Sequence, residues 1–263
     1  MSDTNTVYRA SSLRLGKLAP RLDRRTLKLS TVFDRELPPI PDAYDFDTAH
    51  PGVDMPMYLN DQLGDCVIAA RAHWTRRAEL IEQGVVIPIS DDDVKREYYQ
   101  ESGGADSGLV MLNSLLAWRN GWKVGGQTYS IDVFGSVTPT LSEHVRTAIY
   151  LLGGVMCGVQ LPMSAQAQWD AHEVWDVPSW WSRLSGDGKA GSWGGHCMAV
   201  IAYDATKDLY GCITWGKKQW MTRAWFETYC DEAYGCVDSL DAWCDKPGIN
   251  VDLLQSYLRA VVS

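Results

Sequence analysis

The sequence has no apolar run near the ~18 residues needed to cross a bilayer, so no membrane association is expected. Its start, Met1 to Tyr8, is polar and lacks the basic residues and apolar stretch of a secretory signal. There is no C-x-x-C pair and no H-E-x-x-H pattern, which removes the commonest zinc sites; no metal and no cofactor is expected. The seven cysteines are an odd number scattered from Cys66 to Cys244, unlike a disulfide framework and in keeping with a reducing compartment such as the cytoplasm. Internal repeats and low-complexity tracts are absent. Basic residues are in deficit, 24 Lys and Arg against 33 Asp and Glu for a net charge of −9, which argues against nucleic acid as a partner.

What is present is the composition of a folded domain: 263 residues, 46% hydrophobic and 22% charged. The charge is polarised. Residues 1–35 hold eight basic and three acidic side chains, a net of +5, which leaves −14 on the other 228. This basic segment runs into Pro38-Pro39-Ile40-Pro41, which cannot be helix interior and reads as an extended linker. The chain therefore divides into a basic arm and linker, residues 1–40, and a domain, residues 41–263. The arm is expected to strap along the acidic body of its own domain, with docking on a protein partner or a polyanion as the alternative.

Apolar residues at Val67, Ala70, Trp74, Ala78 and Ile81 recur at three- and four-residue spacing, which predicts a helix over 65–83 stopped by Gly84. Asp91-Asp92-Asp93 opens a second helix running to Tyr99, with carboxylates at the positive end of its dipole. The glycine-rich stretch Ser102 to Gly108 leads into a third, carrying Val110, Leu112, Leu115, Leu116 and Trp118 and closed by Asn120-Gly121. A fourth has its body at Val145 to Leu152. Val155 to Leu161, His196 to Tyr203 and Leu209 to Trp215 are apolar, β-prone runs. Helices first and strands later predict an α+β fold, a helical half and a sheet half.

Two motifs carry chemistry. Asn60-Asp61-Gln62-Leu63-Gly64-Asp65-Cys66 ends where the first helix begins, and there the helix dipole and unpaired backbone N–H groups favour a thiolate. Gly64 lets a reacting backbone approach closely. Gly194-Gly195-His196 opens an apolar strand, and Ile213-Thr214-Trp215-Gly216 ends the next. Trp175, Trp180, Trp181 and Trp193 crowd the segment before His196; they are expected to wall a cleft, with a ligand platform as the alternative. His73 reads as a packing residue, and Cys157, Cys197 and Cys212 as small hydrophobes in strands. Cys230, Cys236 and Cys244 lack metal-ligand spacing.

In order and spacing these motifs resemble the papain-like cysteine peptidases: a cysteine opening a long helix, then Gly-x-His before an apolar strand, then Asn-Ser-Trp-Gly. Cys66 and His196 are 130 residues apart, within the ~130–150 of that family. Tyr44-Asp45-Phe46 is similar to its mature N-terminus, Gly103 to Gly108 to its substrate-holding glycine pair, and Gly153 to Val159 to its Gly-Pro-Val-x-Val strand, so the likeness runs from Tyr44 to Asp238. The Asn-Asp-x-x-Gly-Asp-Cys form is similar to uncharacterised bacterial and bacteriophage members.

The resemblance implies a papain-like fold, the helical half packed on a twisted antiparallel sheet half with the site between. Cys66 would be the nucleophile, His196 the general base and then acid, and Asn60 or Gln62 the oxyanion donor. Gly64, Gly103, Gly104, Gly108, Trp193 and Trp215 would bind substrate. The sequence departs from the family where Ile213 or Thr214 replaces the asparagine that orients the histidine; of the two, Thr214 alone can accept a hydrogen bond. No long helical pro-segment precedes the likeness, so an active enzyme would need another restraint. The expected activity is thiol-dependent hydrolysis of an amide bond in a peptide, a protein or a peptidoglycan cross-link, in the cytoplasm or in a virion. The alternative is a non-catalytic structural or binding protein, such as a bacteriophage virion component, for which a Cys66 sealed from solvent would speak.

Overall fold

The computed structural model describes residues 9–33, 37–238, 250 and 252. After the linker, β1 (Ala43–Asp45) passes into the single turn α1 (Phe46–Ala49), where the Asp45 carboxylate accepts the Asp47 N–H. The periodic segment after Gly64 is α2 (Cys66–Gln83), ended by Gly84 at φ 69°. α3 (Asp91–Glu101) starts at a reciprocal cap between Ser90 and Asp93, and α4 (Met111–Trp118) completes the helical half. A hairpin of β2 (Trp122–Val124) and β3 (Gln127–Tyr129) follows, then β4 (Val133–Ser136) and α5 (Ser142–Leu152). β5 (Val155–Leu161) leads through the short α6 (Ser164–Asp170) and α7 (Trp180–Ser185) to β6 (Gly194–Asp204). β7 (Leu209–Thr214), β8 (Lys217–Thr222), α8 (Arg223–Tyr229) and β9 (Cys230–Val237) end the described domain.

The main sheet has seven strands in the order β4-β9-β5-β6-β7-β8, with β1 beside β6, and every pairing is antiparallel. β6 is its spine. Its successive residues turn to different cores, Cys197 towards the helices and Met198 and Val200 towards the sheet-side core. A strand buried on both faces is apolar throughout, which is why Cys197 to Tyr203 carries no polar residue. The helix-side core packs Ile68, Trp74, Tyr98, Leu115 and Trp118 against Met156 and Cys197, and the sheet-side core holds Leu152, Val159, Trp169, Trp175 and Trp225. This is the expected α+β division into a helical half and a sheet half.

The position of the site follows from unequal strand lengths. β5 covers Gly194 to Val200 on one edge of β6, whereas β7 meets the opposite edge from Ala199 onward. The edge at Gly194 to Met198 therefore extends past β7 and faces the start of α2. The arm runs through this opening. Ala10, Leu13, Leu27, Leu29, Val32 and Phe33 sink into the sheet-side core, and the Ser136 N–H donates to the Leu27 carbonyl at 2.7 Å. Arg25 closes on Asp23 within the arm, Arg21 reaches Asn113, and Lys17 reaches Asp231 and Glu232 of the body. Apolar burial, at roughly 25 cal/mol per Å², fastens this segment more than its surplus charge does.

Candidate active site

Cys66 is the first residue of α2 and has no exposed surface. Burial pushes its thiol up to about 12, against the backbone N–H groups of Cys197 and Gly16, which favour the thiolate. Asp65, at the N-cap, makes no side-chain cap bond; burial raises its carboxyl to about 8, so it is mostly protonated at neutral pH. Cys197 follows His196 directly and packs in the same helix-side core as Cys66, so the opening of β6 lies by the opening of α2.

His196 is likewise fully buried, and desolvation lowers its imidazole to about 3. Its Nε2 lies 2.6 Å from Thr214 Oγ1, at the end of the neighbouring strand, while Nδ1 has no hydrogen-bond partner. Trp215 stacks on the ring at a centroid distance of 4.2 Å. When Nε2 carries the proton, Thr214 accepts it and the Nδ1 lone pair is left free. Ile213 pairs with Ala199 further along β6 and is packed in a small apolar cluster.

The arm crosses this pair. Arg14 donates its N–H to the Asn60 carbonyl at 3.2 Å, and its carbonyl accepts the Trp215 indole N–H at 3.1 Å. Gly16 accepts from the Leu109 N–H at 2.8 Å, and Leu18 donates to the Leu109 carbonyl at 2.9 Å, a parallel bridge. On the other wall Lys17 donates to the Gly195 carbonyl at 3.1 Å. Residues 14–18 are thus hydrogen-bonded to both sides of the cleft. They pass so close that a Cβ on Gly16 would stand 1.7 Å from the Gly64 carbonyl oxygen, which no other residue could tolerate in place.

The remaining candidates divide. Asn60 is buried, with Nδ2 donating to the Leu63 carbonyl at 3.2 Å, whereas Gln62 is exposed. Gly64 and Gly108 lie against the arm, but Gly103 and Gly104 sit in an exposed turn with open space around them. Trp193 leans on Trp215 at 5.3 Å, and Trp175 is in the core beside Trp225. Trp180 and Trp181 are exposed on α7. Cys157, Cys197 and Cys212 are buried and unbridged; Cys244 lies outside the described residues. His73 is buried against Tyr58. Leu109, which pairs with the arm, and the acidic residues Asp231 and Glu232 carry no motif that would single them out in sequence.

No family model matches the sequence, and no curated protein matches it. Solved structures do. Xylellain, a cysteine protease from Xylella fastidiosa, is similar with a TM-score of 0.64 and 13% identity, over 87% of this chain and 97% of its own. The bromelain protease from Ananas comosus, in complex with the E64 inhibitor, has a TM-score of 0.53 and 12% identity, over 76% of this chain and 100% of its own. ProCathepsin B S9 from Trypanosoma congolense has a TM-score of 0.55 and 13% identity, over 87% and 88%. At such identities the likeness is one of backbone: the chain has the fold of the papain-like cysteine proteases.

Proposed function

We propose that the protein is a thiol-dependent peptide hydrolase working through Cys66 and His196, and that its resting form is closed by its own arm. The observation that carries this reading is the state of His196. One ring nitrogen is engaged by Thr214 and the other has no hydrogen-bond partner, on a strand whose next residue, Cys197, packs in the same apolar core as Cys66.

In the closed form burial favours both neutral partners, with the thiol near 12 and the imidazole near 3, so the proton stays on sulfur. Lifting residues 14–18 admits water and removes much of that desolvation. The thiol then passes its proton to His196 Nδ1, and the sulfur attacks the substrate carbonyl carbon. The C–N bond breaks as Nδ1 returns the proton to the leaving amine, giving a thioester. Water, deprotonated by the same nitrogen, releases the acid and restores the thiol. The Cys66 N–H and the inward-facing Asn60 amide are the candidate oxyanion donors, each worth ~3 kcal/mol.

A sealed Cys66 is also the mark of the non-catalytic alternative. Here the seal is five residues of the arm, seated between walls that are otherwise a cleft. Thiol labelling separates the two readings. Cys66 should alkylate in the folded protein faster than the other buried cysteines, Cys157, Cys197, Cys212 and Cys236, and Cys66→Ala should abolish cleavage of an unstructured protein substrate. A folded protein that neither labels at Cys66 nor cleaves such a substrate or a cross-linked muropeptide would be a structural or binding component.

A further inference from the structure

A lysine with no exposed side-chain surface is rare, because an ammonium taken out of water costs several kcal/mol unless it is paired. Lys17 is such a residue, and its ammonium lies between two carboxylates of β9. Its side chain is 0% exposed, with Nζ 2.9 Å from Asp231 Oδ2, 3.0 Å from Glu232 Oε1 and 3.3 Å from the Leu18 carbonyl. Burial lowers the pKa of this ammonium, but the two carboxylates outweigh it and hold the net shift upward.

Consecutive residues of a regular strand point to opposite faces. Asp231 and Glu232 reach one ammonium because β9 is bulged at this point. Its pairing with β5 runs from Gly158 opposite Glu232 to Val159 opposite Cys230, which leaves Asp231 as the extra residue. A bulge re-aims side chains in this way, and bulges gather beside sites. Both carboxylates are steadied from the body: Gln160 Nε2 donates to Asp231 Oδ2 at 2.6 Å, and the Tyr234 hydroxyl to Glu232 Oε2 at 3.1 Å. Across the pocket a Cβ on Gly158 would stand 2.0 Å from Lys17 Cε, so the glycine keeps open the room that a long aliphatic stem needs.

The bulge, the two acids and Gly158 all belong to the body, and Lys17 is one residue from Gly16, the arm glycine packed on the Gly64 backbone two residues before Cys66. Once the arm lifts, two adjacent carboxylates face a half-buried space without a counter-ion, which favours capture of another cation. We propose that this pocket is a substrate subsite for a Lys or Arg side chain, filled by Lys17 in the closed form, so that the enzyme selects peptides with a basic residue at or next to the scissile bond. The inference rests on the hydrolase reading above.

Peptidyl fluoromethyl ketones test it in the intact chain. These reagents alkylate an active-site thiol with loss of fluoride, and would carry Lys or Leu at the first or second position from the reactive carbon. Each labelling rate is the arm-opening constant multiplied by the rate of the open form, so the ratio of Lys to Leu rates cancels the opening. The ratio should be about tenfold or more at one of the two positions, the size expected of one charge-assisted contact. It should fall towards one in Asp231→Asn/Glu232→Gln, while Lys17→Ala raises both rates and keeps the ratio. A ratio near one at both positions in the intact chain overturns the subsite even though Cys66 labels, and needs no variant to fold. A ratio unchanged in the folded double variant overturns it equally. Failure of every probe to label Cys66, in the intact chain and in Lys17→Ala, overturns the hydrolase reading and the subsite with it.

Discussion

At the scale of single residues the unusual feature is a threonine where the resemblance to papain-like peptidases implies an orienting asparagine. The 2.6 Å contact between His196 Nε2 and Thr214 Oγ1 shows that a shorter hydroxyl can span the gap, with Trp215 stacked on the ring to limit its rotation. Thr214→Val keeps the shape and removes the acceptor. A buried imidazole N–H then has no partner, at about 1–3 kcal/mol, and the tautomer that frees Nδ1 is no longer favoured. We expect turnover or Cys66 labelling to fall by about 10- to 100-fold, with Thr214→Ser recovering most of it; equal rates in the valine variant would remove Thr214 from the site. The placement of Cys66, His196 and Thr214 at or near the ends of their elements is legible in the sequence because the periodicity of those elements is plain. The pairing of Asp231 with Glu232 is not. It depends on a bulge whose only trace in sequence is one residue more than the partner strand needs.

At the scale of elements, α2 shows why periodicity located a helix yet undersold its surroundings. Arg71, His73, Arg76 and Arg77 are buried beside the apolar positions, because α3, the loop at Asp54 and α1 cover the polar face of α2 as well. Arg71 is held by Glu97 at 3.1 Å and Glu101 at 2.5 Å, and Arg77 by Asp47 at 2.7 Å. Such partners are far apart in sequence and leave no local pattern. The arm is the other such case. Its charge suggested an electrostatic strap, but its apolar residues anchor it on either side of the cleft segment, and Gly16 lets it pass over Gly64. Gly16→Ala places a methyl group on the Gly64 carbonyl, so residues 14–18 must lift while Leu27, Leu29, Val32 and Phe33 keep the rest of the arm docked. Overpacking of this kind costs about 1–3 kcal/mol. Cys66 in Gly16→Ala should therefore label about 10- to 100-fold faster than in the wild type, at a melting temperature only modestly lowered. Labelling no faster than wild type would mean that the arm does not gate the thiol.

At the scale of the whole molecule, closing the cleft traps titratable groups of opposite sign preference, and stability should register both. The folded pKa of His196 is about 3, lowered by burial, and that of His73 is also well below the ordinary value. For these groups the unfolded chain binds more protons. Their contribution is complete above ~6.5, the unfolded histidine value, and is lost as pH falls from there towards the folded values. Asp65 behaves in the opposite sense. Its carboxyl is raised to about 8, so the folded chain holds the extra proton, and stability declines as pH rises from about 4, the unfolded value, towards 8. His196 and Asp65 can be separated by urea midpoints measured from pH 4 to pH 9 in the wild type, His196→Gln and Asp65→Asn. Asp65→Asn should gain on the wild type as pH rises from 4 to 8 and hold a constant difference above that. His196→Gln should gain on it only as pH falls below ~6.5. Because His196 and Asp65 both lie at the cleft, acid and alkali should each also speed Cys66 labelling relative to a surface thiol at the same pH. Parallel curves for all three proteins would mean that these groups are not buried in solution and that the cleft stands open.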